Sequence, residues 1–220
     1  MSDTHSVRIG GGCAGYGDGT WATPRLIRDG AIDYVILDYL SEVIMPQCAR
    51  AHSQDPNTGY ILYFPDELYT MIARDLVEPK FKLVTNVGAV NPHGCAAAIA
   101  AAAARLGLSP KIAVVDRADI TDRADALHGS GKLTQRLPAG VSHTGIHAYL
   151  GAYPVARALA LGGDIVITGR VVDSGLVLGP LIHEFGWKPD EYDRLAAGSA
   201  IGHILECGAQ ASGGIFTDWR

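Results

Sequence analysis

Short apolar runs alternate along the chain with longer segments of helical periodicity. Five of these runs predict buried strands, at residues 7–9, 34–37, 82–84, 111–115 and 165–167. Helices are predicted between them, at residues 24–29, 65–77, 95–106 and 148–161. Strands that alternate with helices favour a parallel sheet with right-handed crossovers. We therefore predict an α/β fold, a Rossmann-like three-layer sandwich with a mainly parallel sheet, and keep half of a β/α barrel as the alternative.

Local signals set the ends of several helices and loops. Thr23 is a predicted N-cap with Pro24 at the first helical position, and Gly30 ends this short helix. The helix at residues 95–106 is almost pure alanine, so it should pack closely against the sheet. Residues 50–60 and 128–143 are rich in polar residues, glycine and proline. We predict long loops there, which often serve as functional lids.

The size and composition fit one α/β domain over residues 1–220. Hydrophobic residues make up 48% and charged residues 19% of the chain, which is enough apolar surface for a buried core. A glycine pair followed by apolar and aromatic residues stands just before the last residue, Arg220. We therefore expect this chain to be the N-terminal part of a longer architecture.

Charge and hydropathy exclude several classes of partner. The net charge of −5 and the lack of a Lys/Arg cluster argue against a nucleic-acid surface. The longest apolar run, residues 95–104, is too short to span a bilayer. The four cysteines form no CxxC pair, and no secretory signal opens the chain. We expect a cytoplasmic protein that binds neither nucleic acid nor membrane.

A glycine-rich segment at residues 10–19 follows the first strand. Gly10, Gly12 and Gly15 match GxGxxG, but the next helix is predicted only at Pro24, which is too late for the usual dinucleotide site. We predict instead a loop in which the backbone of Gly11 and Gly12 approaches an anion. A tight strand exit is the alternative, and Cys13 is interpreted as structural.

Polar residues with defined chemistry follow the predicted strands. They are Asp38, Thr85, Asn86, Asn91, Asp116, Thr168, Arg170 and Asp173. Because the carboxyl ends of parallel strands share one edge of a sheet, we expect this set to converge on a ligand site. The planar guanidinium of Arg170 suits a carboxylate or phosphate. Asp38 or Glu42 could supply a carboxylate for acid–base work.

Each of these residues also has a structural interpretation. Asp173 could cap the helix that follows it or pair with Arg170, and Asn86 and Asn91 could satisfy turn backbone. We favour function for the set as a whole, because so many polar groups at one edge are costly to maintain without a ligand.

Two histidine patterns raise the question of a metal. His143 and His147 stand at i and i+4, but Thr144 replaces the glutamate of zinc proteases and Gly145 weakens a helix. His203, Glu206 and Cys207 share one helix face, which suits a metal, an acid–base pair or buried polar groups. We assign no metal ligands from the sequence.

Several segments resemble the acyclic terpene utilisation family. The clearest are DYVILDYLSE at residues 33–42, TNVGAVNP at 85–92 and TGRVVD at 168–173, together with residues 9–15, 148–152, 179–187 and 202–216. These segments run in order through nearly the whole chain. The departures are Cys13 in the glycine segment, Asp38 where glutamate is common, and the regions 50–60 and 128–143, which could reflect a different substrate.

The resemblance implies a cytoplasmic protein that takes part in the catabolism of branched, terpene-derived acids or their coenzyme A thioesters. Members are longer than this chain, and the family name supplies no mechanism. Our hypothesis is a lyase or hydratase step on an anionic small molecule. The alternative is a non-catalytic ligand-binding subunit, completed by a partner chain or a C-terminal domain. We expect a homo-oligomer or a partner subunit, and we assign no cofactor beyond a thioester substrate.

The hypothesis gives each candidate residue a role. Arg170 and the glycine segment, with Gly11 and Gly12, would hold the anionic group of the substrate. Asp38 or Glu42 would transfer a proton. The remaining candidates are Asn86 and Asn91, which would orient a carbonyl, Asp173 as a further catalytic residue, and Thr168, His203 and Glu206 as substrate-binding residues.

Overall fold

A computed structural model describes residues 5–13, 15–18, 20–77, 81–130 and 143–213. Its sheet has the strand order β1-β2-β3-β5-β4, and every pairing is parallel. The strands are β1 (Ile9–Cys13), β2 (Tyr34–Leu37), β3 (Lys82–Ala89), β4 (Ile112–Val115) and β5 (Ile165–Gly169). The predicted α/β fold with a parallel sheet is confirmed.

Helices cover both faces of this sheet. They are α1 (Ala22–Asp29), α2 (Ile44–Gln54), α3 (Leu68–Val77), α4 (Pro92–Arg105), α5 (Ala124–Gly129), α6 (Tyr153–Ala160), α7 (Gly175–Phe185) and α8 (Tyr192–Leu205). None of the helices in the described part of the chain is long and apolar enough to cross a membrane.

Alternation along the strands divides the core into two layers. Val35, Leu37 and Leu83 point to one face, where they pack in one cluster with residues of α3 and α4. Tyr34 and Ile36 point to the other face and pack with residues of α6 and α7. Strands β2, β3 and β5 are therefore buried on both sides, which explains their continuous apolar runs.

Three local predictions are wrong. The residues Gly10, Gly11 and Gly12, predicted as a loop, continue strand β1. Thr23 lies inside α1 instead of capping it, because its hydroxyl donates to the carbonyl of Gly12 at 2.9 Å. Residues 50–54 belong to α2 and not to a loop. Most of the other predicted loop, residues 131–142, lies outside the described part of the chain.

The strand register confirms that the polar strand ends converge. Leu37 pairs with Thr85, and Thr85 pairs with Ile167. The next residue on each strand is Asp38, Asn86 or Thr168, so these three lie at one level of the carboxyl edge. Asp116 follows β4 at the same edge.

Candidate active site

Asp38 and Asn86 form the buried floor of the carboxyl edge. The Asn86 side chain donates to Asp38 Oδ1 at 2.6 Å and accepts from the backbone N–H of Tyr39 at 2.8 Å. The backbone N–H of Leu40 also donates to Asp38 Oδ1, at 3.1 Å. Asn86 thus orients the carboxylate of Asp38, and one oxygen of Asp38 carries all these bonds.

The other oxygen of Asp38 is buried and without a hydrogen-bond partner among the described residues. Asp38 is only 3% exposed. Burial, reinforced by the charges of Glu206 and Asp173, raises the pKa of Asp38 from 3.8 to about 7. Its bonds from Asn86 and Leu40 oppose this shift but do not cancel it. Asp38 is therefore a carboxyl group that titrates near neutral pH.

Arg170 lies beside this floor with its guanidinium only partly used. Nη1 donates to Asp173 Oδ1 at 2.6 Å and to the carbonyl of Val171 at 3.1 Å. Nη2 reaches Glu42 Oε1 at 3.5 Å, Tyr149 also interacts with the guanidinium, and Nε is buried without a hydrogen-bond partner in the described chain. The Nε and Nη2 side of the guanidinium is the side that binds a carboxylate through two parallel bonds. Arg170 is thus a buried cation whose Nε has no partner in the described structure and whose Nη2 makes only a long contact with Glu42.

A cavity of about 240 Å³ opens beside Arg170. Met45, Pro46 and Ala49 of α2 form its apolar wall. Glu42, Tyr149 and His147 supply polar groups on the other sides. The Tyr149 ring lies 4.4 Å from the Arg170 guanidinium carbon, and its hydroxyl donates to Glu42. A cation next to an apolar wall suits a molecule with one anionic group and a hydrocarbon body.

His147 and Glu42 can move protons in this cavity. In the described structure neither ring nitrogen of His147 has a hydrogen-bond partner. Desolvation lowers the pKa of His147 below 6.5, so the ring is neutral at pH 7. The hydrogen bond from Tyr149 is the main cause that lowers the pKa of Glu42, which is therefore a carboxylate. Both side chains are proton acceptors at neutral pH.

A second group of polar side chains lies where the end of α8 meets the same edge. Ligand atoms of Asp173, His203 and Glu206 all lie within 4.8 Å of one another. The Cys207 thiol donates to Glu206 Oε1 at 3.2 Å. Asp173 and His203 also line a cavity of about 540 Å³. The structure therefore brings the strand-end carboxylate Asp173 together with the polar side chains at the end of α8, which lie 30 or more residues further along the sequence.

The end of α8 also closes over strand β1, which corrects the anion-loop prediction. A Cβ on Gly11 would lie 2.1 Å from the carbonyl oxygen of Leu205. A Cβ on Gly12 would lie 2.6 Å from Thr23 Oγ1. These glycines allow close packing on both sides of the strand, and the space above Gly11 is filled by protein. The next helix starts at Ala22, so the segment does not open a helix at Gly15, as predicted.

Three predicted residues have structural partners instead of a place in the cavity. Asn91 caps α4, because its side chain accepts from the Gly94 N–H at 2.9 Å and donates to the carbonyl of Thr58 at 2.9 Å. Thr168 is buried and donates to the carbonyl of Gly169. Asp116 lies next to His93 at 3.1 Å, on the far strand β4. Their proposed catalytic and binding roles stay predictions.

Another cavity, of about 260 Å³, lies at the opposite, amino edge of the sheet. Its polar groups are engaged in the fold. Asp33 accepts from the Arg8 N–H, Asp164 accepts from the Lys111 N–H, and Lys82 donates to the carbonyl of Gly163. The candidate site is therefore assigned to the carboxyl edge.

Sequence reasoning overlooked two residues of the site. The sequence pattern suggests His147 only as a metal partner of His143, whereas in the structure His147 lines a cavity formed with α2. For Tyr149, the sequence signal is its place in residues 148–152, one of the segments that carry the family resemblance. Neither residue belongs to a regular element, so no periodicity marks it.

Comparison with known proteins points to a family. The chain matches the family model described as acyclic terpene utilisation family protein AtuA over residues 7–220. No curated protein matches it, and no solved structure matches it. The matched range includes every side chain of the site.

Proposed function

We propose that this chain, which belongs to the acyclic terpene utilisation family, is a catabolic enzyme that adds water to, or removes it from, a branched carboxylic acid or its coenzyme A thioester. The observation that carries the proposal is the buried and incompletely paired guanidinium of Arg170, which lines the 240 Å³ cavity together with its apolar wall. The guanidinium would bind the carboxylate or thioester oxygen. Met45, Pro46 and Ala49 would contact the branched hydrocarbon.

The size of the cavity limits the substrate. Clefts that take drug-sized ligands measure roughly 300–1,000 Å³. At about 240 Å³ this cavity suits a short acid, or the acyl part of a thioester with the coenzyme outside. Glu42 is exposed and reaches Nη2 only at 3.5 Å, so a substrate carboxylate can replace it there at little cost.

The chemistry follows from the proton acceptors in the cavity. When water adds to a carbon–carbon double bond, the water oxygen bonds to one carbon, and the water gives up a proton. A proton then bonds to the neighbouring carbon. Neutral His147 would accept the water proton, and the pair of Tyr149 and Glu42 would return one, because Tyr149 holds a proton that it donates to Glu42. The step needs no oxidant or reductant.

The first test is binding. Titration calorimetry with 3-methylbut-2-enoate, a short branched acid, should give saturable binding, and the uncharged amide of the same acid should bind much more weakly. Arg170→Lys keeps the charge but loses the fork, so affinity for the acid should fall by about 1–3 kcal/mol, roughly 5- to 150-fold. Arg157→Lys on the exposed side of α6 is the matched control and should leave affinity unchanged.

The second measurement is turnover. Proton NMR in D₂O should show deuterium at the carbon next to the carboxylate or thioester as water adds. Equal affinity for acid and amide, or an Arg170→Lys protein that unfolds while its folded fraction binds as before, would contradict the proposal. Saturable binding of acid and thioester without turnover would instead support the non-catalytic ligand-binding subunit.

A further inference from the structure

The end of α8 and the start of α7 present a set of metal-ligating side chains. One ligand atom from each of Asp173, His203 and Glu206 lies within 4.8 Å of the others. Glu206 is the most shielded of the three, with 13% of its side chain exposed, whereas 72% of the His203 side chain is exposed. Asp173 and His203 line the 540 Å³ cavity, so an ion from solvent can reach the set.

An independent observation points to a bound cation at this place. Asp38 Oδ2 is buried and has no hydrogen-bond partner in the described structure. The Asp38 N–H donates to the Cys13 carbonyl, and Cys13 in turn lies against Gly208, directly after Glu206 and Cys207. An unpaired carboxylate oxygen in a dry environment is costly unless it faces a positive charge.

The charges of the region favour the same conclusion. Asp173 and Glu42 contact the Arg170 guanidinium, Glu206 lies close to Asp173, and the charges of Glu206 and Asp173 act on the carboxyl group of Asp38. Arg170 Nη1 bonds only one oxygen of Asp173, Oδ1. Asp173 therefore contributes to the ion pair with Arg170 and also offers a ligand atom to the set.

We propose that Asp173, His203 and Glu206 bind one divalent transition-metal ion of the Mn²⁺ type, near the buried carboxyl group of Asp38. Two carboxylates with one imidazole form a mixed oxygen and nitrogen set, which suits Mn²⁺ and also accepts Zn²⁺. Donors around an ion at about 2.1 Å lie about 3.0–4.2 Å from one another. The observed 4.8 Å limit is close to this range, and His203 Nε2 lies 4.0 Å from Glu206 Oε1, within it.

The proposed metal site rests on the distances among Asp173, His203 and Glu206 and does not depend on the proposed reaction. A metal there would lie across Asp173 from the Arg170 fork. It is therefore tested without any acid, and failure of the acid-binding experiment leaves this result untouched.

Electron paramagnetic resonance measures the binding directly. The full 220-residue chain is stripped with EDTA, dialysed and titrated with MnCl₂, and the six-line signal of free Mn²⁺ is recorded. We expect one Mn²⁺ bound per chain. His203→Gln and Glu206→Gln should each weaken binding by at least about tenfold, the loss that follows removal of a group that supports a metal. Zn²⁺ should displace Mn²⁺, because it binds such sites more tightly.

Matched controls separate a site from general surface charge. Asp193→Asn lies on the exposed side of the same helix α8, and His183→Gln lies on α7, and both should bind Mn²⁺ like the unaltered chain. The exposed His203 keeps this test independent of folding, which circular dichroism checks for each variant. Absence of saturable binding, or the same affinity in all four variants, would overturn the proposal.

Discussion

The titration of Asp38 should make the protein less stable as the pH rises, which is opposite to the usual behaviour of a paired carboxylate. The pKa of Asp38 is about 7 in the folded chain and 3.8 as an ordinary carboxyl group. Between these values the folded state holds a proton that the unfolded state has lost. The neutral carboxyl therefore stabilises the fold fully below pH 3.8, and this contribution is lost as the pH rises to about 7.

The size of the effect follows from the two pKa values. Each unit of difference is about 1.4 kcal/mol, so burial of the charged form costs of the order of 4 kcal/mol in total. Of this, about 3 kcal/mol falls between pH 5 and pH 8, because part of the loss has occurred by pH 5. Asp38→Asn keeps an oxygen that accepts from Asn86 and Leu40 but has no charge to lose.

Urea unfolding of metal-free protein at pH 5 and pH 8 measures this difference. The unaltered chain should lose about 3 kcal/mol more than Asp38→Asn over this interval. Asp190→Asn, at an exposed position, is the control and should follow the unaltered chain. If the free energy of unfolding changes equally with pH in Asp38→Asn and in the unaltered chain, the pKa of Asp38 is not raised in the folded state, and this argument is wrong.

Two further results are expected from the contact between β1 and the end of α8. Gly11→Ala should destabilise the chain by about 1–3 kcal/mol in urea unfolding, because the added Cβ would lie 2.1 Å from the Leu205 carbonyl oxygen. Gly15→Ala is the control and should change the stability little, because the space around Gly15 is open. Equal effects of the two substitutions would contradict this packing. Iodoacetamide at pH 8 should alkylate Cys207 faster than Cys13. The hydrogen bond to Glu206 raises the pKa of Cys207, but this thiol is only partly buried, whereas burial raises the pKa of Cys13 to about 12. Mass spectrometry of the folded protein identifies the modified residue, and faster labelling of Cys13 would show that the end of α8 does not cover it.

The fold was largely predictable because its strands are buried on both faces. Runs such as Tyr34–Leu37 are apolar without a break, since helices cover each side of the sheet. Convergence of Asp38 and Asn86 followed from parallel pairing alone. The alanine helix α4 was also located, although Pro92 and the Asn91 cap extend it beyond the predicted start.

The errors have physical causes at particular residues. Glycines are weak strand formers, so β1 was predicted to end at Ile9, whereas Gly10, Gly11 and Gly12 are strand residues that permit close packing. Residues 50–54, at the C-terminal end of α2, are polar because they face solvent. This polarity is the reason that the sequence predicts a loop there. The cavity beside Arg170 depends on residues 144–149, which carry no periodic pattern.

Asp173 connects the two proposed sites and gives a physical reason for their proximity. Its carboxylate bonds Arg170 through Oδ1, and a ligand atom of the same side chain lies with His203 and Glu206. A divalent cation bound to Asp173, His203 and Glu206 would partly neutralise the Asp173 carboxylate, which now neutralises the charge of Arg170. The guanidinium would then present a stronger positive field to the 240 Å³ cavity, and a substrate carboxylate would replace the weak contact from Glu42 more readily. The metal would thus prepare the anion site through one shared carboxylate, without touching the substrate itself.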